Sequence, residues 1–122
     1  MAYGRKLLML KIRFLLLIIS LTIAFAITAQ ATEITTKMSG ALIHSISDFH
    51  QKAKVALFFP SDYRFTFASL KNALLSTTHE RTLTLENLSA LRAQIGAEEY
   101  QILIETLIES ARENSSFQLI LK

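Results

Sequence analysis

The 122-residue sequence predicts a mainly α fold of three to four helices, which follows an N-terminal segment of different character. Two observations support this prediction. After residue 38, apolar residues recur at three- and four-residue steps in several stretches, as on the buried face of an amphipathic helix. In addition, the last two of these stretches are separated only by Gly96, and glycine often ends a helix.

The first 31 residues have the pattern of a secretory leader. Four basic residues precede an apolar run from Phe14 to Ile27, and Ala29-Gln30-Ala31 then supplies small residues one and three positions before a cut. The export machinery reads this combination. We therefore expect residues 1–31 to be a signal peptide and residues 32–122 to be a small exported helical domain, either periplasmic or secreted.

Retention of the leader is the alternative interpretation. A membrane-spanning helix needs about 20 apolar residues, and residues 14–31 supply 18 only when Thr28 and Gln30 are counted. Without cleavage, residues 14–31 would anchor a single-pass membrane protein that serves as an accessory subunit of a membrane complex. Basic residues before the segment place the C-terminal part outside the cytoplasm in both interpretations.

Composition excludes several function classes. Nine of the 13 Lys and Arg residues and all ten acidic residues follow residue 31, so the exported part has a net charge of −1, although the whole chain has +3. A nucleic-acid partner would need a sustained basic patch, which this part lacks. The absence of cysteine excludes disulfides and thiol catalysis. The three glycines do not form a phosphate-binding loop, and we expect no cofactor.

The first half of the exported part contains one or two predicted helices. An amphipathic helix is predicted from Ser39 to about Lys54. Residues 55–67 allow two interpretations, a short β-hairpin around Pro60, or a helix end before Pro60 and a second helix that begins near Ser61 or Thr66. The polar residues 76–82 predict a connecting loop.

A pair of helices is predicted after this loop. An apolar stripe begins at Leu85 and ends at Ile95, with Thr84 as the N-cap, and a second helix is predicted from Ala97 to Glu113. The short connection at Gly96 brings the two helices into contact. The apolar C-terminal end then docks as a strand or covers the core.

Residues 85–110 resemble the opening helices of histidine-phosphotransfer domains, because a Leu-rich helix, a glycine and a second Leu-rich helix follow one another. Such domains then present a histidine, followed by a Lys-Gly pair, on the next long helix. This chain has no histidine after His79. The resemblance therefore implies a local helix pattern and does not imply phosphotransfer.

No combination of residues predicts a catalytic or metal site. His44, Asp48 and His50 have ligand chemistry, but on a helix His50 points away from the other two, which favours a solvated surface. His79 is predicted to be a solvated loop residue. Because no motif selects a nucleophile and its base, we expect no enzyme activity, and a small extracytoplasmic hydrolase is the third function considered.

Two surfaces are candidates for binding a partner. Five aromatic residues lie within ten positions, Phe58, Phe59, Tyr63, Phe65 and Phe67, and three glutamates follow the outer side of the last helix, Glu98, Glu105 and Glu109. Core packing and a solvated helix face are the alternative interpretations. We predict a non-catalytic protein of interaction or assembly whose partner is another protein. Self-association would also stabilise a domain of this size.

Overall fold

The computed structural model describes residues 33–122, which form a three-stranded parallel sheet and four α-helices. A short 3-10 turn, Gly40–Leu42, follows the first strand. In chain order the elements are β1 (Ile34–Ser39), α1 (Ile46–Ala56), α2 (Phe67–Leu75), β2 (Arg81–Glu86), α3 (Leu88–Ile95), α4 (Ala97–Glu113) and β3 (Phe117–Leu121).

The sheet has the order β1-β2-β3, and a pair of helices connects each strand to the next. The register places Met38 of β1 beside Leu85 of β2, and Leu85 beside Leu121 of β3. Alternate strand residues point to opposite faces of a sheet. Because Met38 and Leu85 are buried while Lys37 and Gln118 are exposed, the helices cover one face of this sheet.

The core joins the covered face of the sheet to all four helices. Each fully buried Leu, Ile or Phe contributes about 1.5–3 kcal/mol to the free energy of unfolding. The largest fully buried apolar side chains are Ile43, Phe49, Leu57, Leu70, Leu74, Leu83, Leu85, Leu91, Leu103, Leu107 and Phe117.

The helix boundaries confirm part of the prediction. The Thr66 hydroxyl accepts a hydrogen bond from the Ser69 N–H and caps α2, as one of the two interpretations of this stretch requires. Gly96 separates α3 from α4 with φ at +92°, a conformation that side chains with a Cβ rarely adopt. The helix predicted from Ala97 to Glu113 is α4 with the same bounds.

The prediction of a mainly α fold is wrong, because the chain has an α/β fold with a parallel sheet. The predicted helical stripe begins at Leu85, but the alternation Thr82-Leu83-Thr84-Leu85 forms β2 and α3 begins only at Leu88. Ser39, the predicted start of the first helix, belongs to β1, and α1 begins at Ile46. Parallel strands pair residues that are far apart in sequence, so short apolar runs give no local sign of their pairing.

The β-hairpin around Pro60 is also wrong, since residues 58–66 contain no strand. The Tyr63 N–H donates to the Pro60 carbonyl over 3.0 Å and closes a turn instead. The C-terminal residues 117–121 do dock as a strand, which is one of the two predicted outcomes. The predicted signal peptide or anchor, residues 1–31, lies outside the described residues. None of the helices within residues 33–122 has the length and apolar character needed to cross a membrane.

Candidate functional site

The C-terminal end of α1 has an aromatic residue where glycine is usual. The Phe59 N–H donates to the Lys54 carbonyl over 3.0 Å, and the Phe58 N–H donates to the Val55 carbonyl over 3.4 Å. These two bonds define a Schellman motif, in which the residue after the helix cap takes a left-handed conformation. That residue is Phe58, with φ at +55°.

Burial of the Phe58 side chain does not offset the free-energy cost of its left-handed backbone conformation. A left-handed conformation costs a residue other than glycine about 1–2 kcal/mol, and 69% of the Phe58 surface is exposed. Within residues 33–122, Asn87 is the other non-glycine residue with positive φ. Asparagine tolerates this conformation, and the Asn87 side chain donates to the Ser39 hydroxyl over 2.7 Å. Phe58 is therefore the unusual residue of the two.

The loop after Phe58 is held by a buried polar pair. The His50 Nδ1 atom of α1 lies 2.5 Å from the Tyr63 hydroxyl. Burial lowers the pKa of His50 and raises the pKa of Tyr63, so both groups are neutral near pH 7. The Phe65 ring stacks on His50 with a centroid distance of 5.7 Å. This packing fixes the loop that carries Phe58.

The five predicted aromatic residues divide between the core and the surface. Phe59 and Tyr63 are buried, and Phe67 is half-buried. Phe65 is 40% exposed, but its ring covers His50 and Tyr63. Phe58 is thus the aromatic residue of the five with the largest exposed fraction.

Arg81, the first residue of β2, reaches the same end of α1. Its Nη1 atom donates to the Leu57 carbonyl, which lies at the helix cap, where a cation is favourable. Its Nε atom is buried and has no hydrogen-bond partner among the described residues. Burial lowers the pKa of the Arg81 guanidinium. A residue predicted to lie in a connecting loop is therefore a partly buried cation.

Phe58 and Arg81 line one pocket with a volume of about 470 Å³. The other lining residues come from the loop after α1, from α2 and from the loop before β2. They are Phe59, Pro60, Asp62, Tyr63, Ser69, Asn72, Ala73, Ser76, Thr77, Thr78 and His79. We call this cavity the Phe58 pocket. It offers one guanidinium, one carboxylate, several hydroxyl groups, one side-chain amide and an aromatic wall.

The predicted acidic face does not join the Phe58 pocket. Glu98, Glu105 and Glu109 are exposed on α4, and none of them lines the pocket. Glu109 lies 3.9 Å from the Lys71 ammonium, and Glu105 accepts a hydrogen bond from Gln101 over 3.1 Å. Two of the three glutamates therefore have partners within the domain.

The histidines lie in three different environments. His44 is exposed, whereas His50 is only 2% exposed, so the prediction that His50 lies on a solvated surface is wrong. Helical spacing alone does not indicate this burial, because Phe65 and Tyr63, which cover His50, belong to a loop with no periodic pattern. His79 is exposed in its loop, on the wall of the Phe58 pocket. No group of acidic or histidine side chains within residues 33–122 is arranged to hold a metal ion.

Neither Arg81 nor the Phe58 pocket is predicted from the sequence. Residues 76–82 show only polarity, and nothing local indicates that Arg81 enters a central strand beside the end of α1. Pro60 indicated that a helix ends shortly before it, and many helices end with a left-handed residue, but neither observation selects Phe58. Comparison with known proteins assigns no family, because no family model matches the chain and no curated protein shows significant similarity to it.

Proposed function

We propose that this protein is a non-catalytic interaction protein that binds another protein through Phe58 and the pocket beside it. The observation that carries the proposal is the Schellman motif with Phe58 in the glycine position, at +55° and 69% exposed. Strained backbone positions that a fold does not require are concentrated at functional sites. Glycine at this position would satisfy the fold at lower cost.

An exposed aromatic ring on a rigid support suits protein binding. Aromatic residues in pockets or at their rims supply much of the binding energy at protein interfaces. The support is rigid here, because α1 ends directly before Phe58 and the buried His50–Tyr63 pair holds the following loop. A partner that covers Phe58 would gain apolar contact without having to order this loop first.

The proposed place of action is outside the cytoplasm. Support comes from the basic, apolar and small-residue order of residues 1–31, the pattern of an export signal. The same binding surface serves a released domain or one that is anchored by residues 14–31. Partner binding and the fate of the leader are therefore separate questions, and they need separate measurements.

Site-specific photocrosslinking tests the proposed surface. A benzophenone amino acid replaces Phe58 in the full chain, expressed in the native host, and Val55 is the matched control because it is 67% exposed one turn earlier on α1. We expect one dominant protein adduct at position 58 that is absent at position 55. A third probe at Glu105 reports on the acidic face of α4.

Three results would contradict the proposal. Equal adducts at positions 58 and 55 would indicate unspecific contact. The absence of any adduct at position 58 would remove the proposed surface. A dominant adduct at position 105 alone would move the interaction to α4.

A further inference from the structure

We infer that the Phe58 pocket binds a carboxylate group, with the Arg81 guanidinium as its charge partner. This inference rests on the proposed function, because the carboxylate would belong to the protein that covers Phe58. It adds the chemistry of the group that enters the pocket. The C-terminal carboxylate of the partner and an acidic side chain share this chemistry, and the experiment below distinguishes them.

Within residues 33–122, no carboxylate oxygen lies within 4.0 Å of the Arg81 guanidinium. Among residues 33–122, the ion pairs with nitrogen–oxygen distances up to 4.0 Å use only lysines, namely Lys37, Lys52 and Lys71. The Arg81 guanidinium has one neutral acceptor, the Leu57 carbonyl, while its buried Nε atom has no acceptor. Removing a charge from water is costly unless another charge pairs with it. A bound carboxylate would supply the missing charge.

The donors on the pocket wall match the acceptors of a carboxylate. An ionised carboxylate only accepts hydrogen bonds, and a guanidinium donates in a planar fork that fits its two oxygens. The Thr78 hydroxyl, the His79 imidazole and the Asn72 amide line the same pocket and can donate as well. The polar wall therefore suits an acceptor-rich group, while Phe58 provides an apolar surface for the atoms attached to it.

The charges on the pocket wall favour a ligand with one negative charge. Arg81 is the single Lys or Arg residue on the wall, and the exposed carboxylate of Asp62 lies on the same wall. A single cation can neutralise one negative charge, as on a carboxylate. A doubly charged phosphate would keep one charge without a partner, and holding an unpaired charge out of water is costly. This favours a carboxylate over a phosphate.

The experiment is an NMR titration of the full-length ¹⁵N-labelled protein, in detergent where it requires detergent. The probes are N-acetyl-phenylalanine, its C-terminal amide, N-acetyl-glutamate with its C-terminus amidated, and inorganic phosphate. The first probe carries a terminal carboxylate and the third carries a side-chain carboxylate, while the amide carries none. The readout is the saturable shift of the backbone signals from Thr78 to Arg81.

We expect at least one carboxylate probe to bind at least tenfold more tightly than N-acetyl-phenylalanine amide. The tighter of the two carboxylate probes identifies the source of the group. Arg81→Gln should weaken carboxylate binding at least tenfold, while Arg64→Gln, an exposed residue outside the pocket wall, should leave it unchanged. Asp62→Asn should strengthen binding about threefold by removing a like charge.

Several results would overturn the inference. These are equal binding of the carboxylate and the amide, tighter binding of phosphate than of either carboxylate, or wild-type affinity in a folded Arg81→Gln protein. If Arg81→Gln does not fold, the affinities of Arg81→Lys and Asp62→Asn for the carboxylate probes test the inference instead. Weaker binding in the first and tighter binding in the second support the inference, and unchanged affinities in both oppose it.

The titration tests the carboxylate site and the crosslinking experiment tests the protein-binding surface, so either claim can be wrong without the other. A carboxylate that binds through Arg81, without a protein adduct at position 58, would retain the carboxylate site and remove the protein-binding function. An adduct at position 58 without any preference for carboxylates would retain the interaction surface and remove the role inferred for Arg81.

Discussion

The Nδ1 atom of His50 and the hydroxyl of Tyr63 lie 2.5 Å apart in the interior of the domain. His50 belongs to α1, and Tyr63 belongs to the loop that connects α1 to α2. Both side chains are buried, with 2% and 7% exposed. This hydrogen bond holds the loop against the helix, and the loop residues Phe58, Phe59, Pro60, Asp62 and Tyr63 form one wall of the Phe58 pocket.

Removing the Tyr63 hydroxyl should destabilise the fold. Tyr63→Phe retains the ring but leaves the His50 nitrogen without its partner in a buried position, which costs about 1–3 kcal/mol. Urea unfolding followed by circular dichroism measures this loss. Tyr100→Phe, at a half-buried position on α4, is the control. Equal losses in the two variants would show that the His50–Tyr63 bond does not stabilise the fold.

The buried His50 should make stability depend on pH. Because burial lowers the pKa of folded His50, the unfolded chain binds more protons below about pH 6.5. The free energy of unfolding should therefore fall as the pH drops below about 6.5, by up to about 1.4 kcal/mol per pH unit for this one group. Above that pH, His50 adds no pH dependence.

Unfolding curves between about pH 5 and 7 test this prediction through their slope. His50→Gln should flatten the dependence on pH, whatever its effect on overall stability. An identical slope in wild type and His50→Gln would contradict the prediction.

A methyl group at Gly40 should not fit. A Cβ there would lie 2.5 Å from both the Asn87 carbonyl oxygen and the Leu91 Cβ atom, because the turn after β1 packs against the start of α3. Gly40→Ala should cost about 1–3 kcal/mol through overpacking. Gly96→Ala meets no atom within 4 Å, so only its backbone conformation opposes that change. A Gly40→Ala protein with wild-type stability would contradict the observed packing.

The inward face of α4 should not accept a charge. Leu107 is fully buried, so Leu107→Asp would place an unpaired carboxylate in the core and should unfold the domain. Glu105→Lys lies on the exposed face of the same helix and should leave the fold intact. Circular dichroism of the two purified variants separates these outcomes. A fully folded Leu107→Asp protein would show that the inward face is assigned incorrectly.

The helices could be predicted from the sequence better than the sheet. The segment from Ala97 to Glu113 is long enough for its apolar period to define a helix, and Thr66 and Gly96 have the chemistry of a helix start and a helix end. By contrast, β1 and β2 are only 6 residues each. Their pairing unites segments on either side of α1 and α2, which no local pattern indicates.

The candidate site was predictable only in part. The aromatic residues 58–67 were recognised as unusual from their density, but which of them remains exposed depends on the turn at Pro60 and on His50 beneath it. Arg81 could not be chosen from its neighbours in sequence. Arg81 is the first residue of β2, and this position brings its guanidinium to the Leu57 carbonyl at the end of α1.

Phe58→Gly should stabilise the fold, which is unusual for the loss of a large apolar side chain. Glycine relieves a left-handed strain of about 1–2 kcal/mol and loses about 0.5–1 kcal/mol to chain entropy, so a net gain of about 0.5–1 kcal/mol is expected. Val55→Gly, in the last turn of α1, should instead lose about 0.5 kcal/mol. Urea unfolding of both variants provides the comparison.

The role of Phe58 in binding is tested by measuring the affinity of the Phe58→Gly protein for the partner that crosslinks at position 58. We predict an affinity at least tenfold weaker than that of the wild type, in a protein that is as stable as the wild type or more stable. Val55→Gly should keep the wild-type affinity. Unchanged affinity in a folded Phe58→Gly protein would contradict the claim that Phe58 is exposed in order to bind a partner.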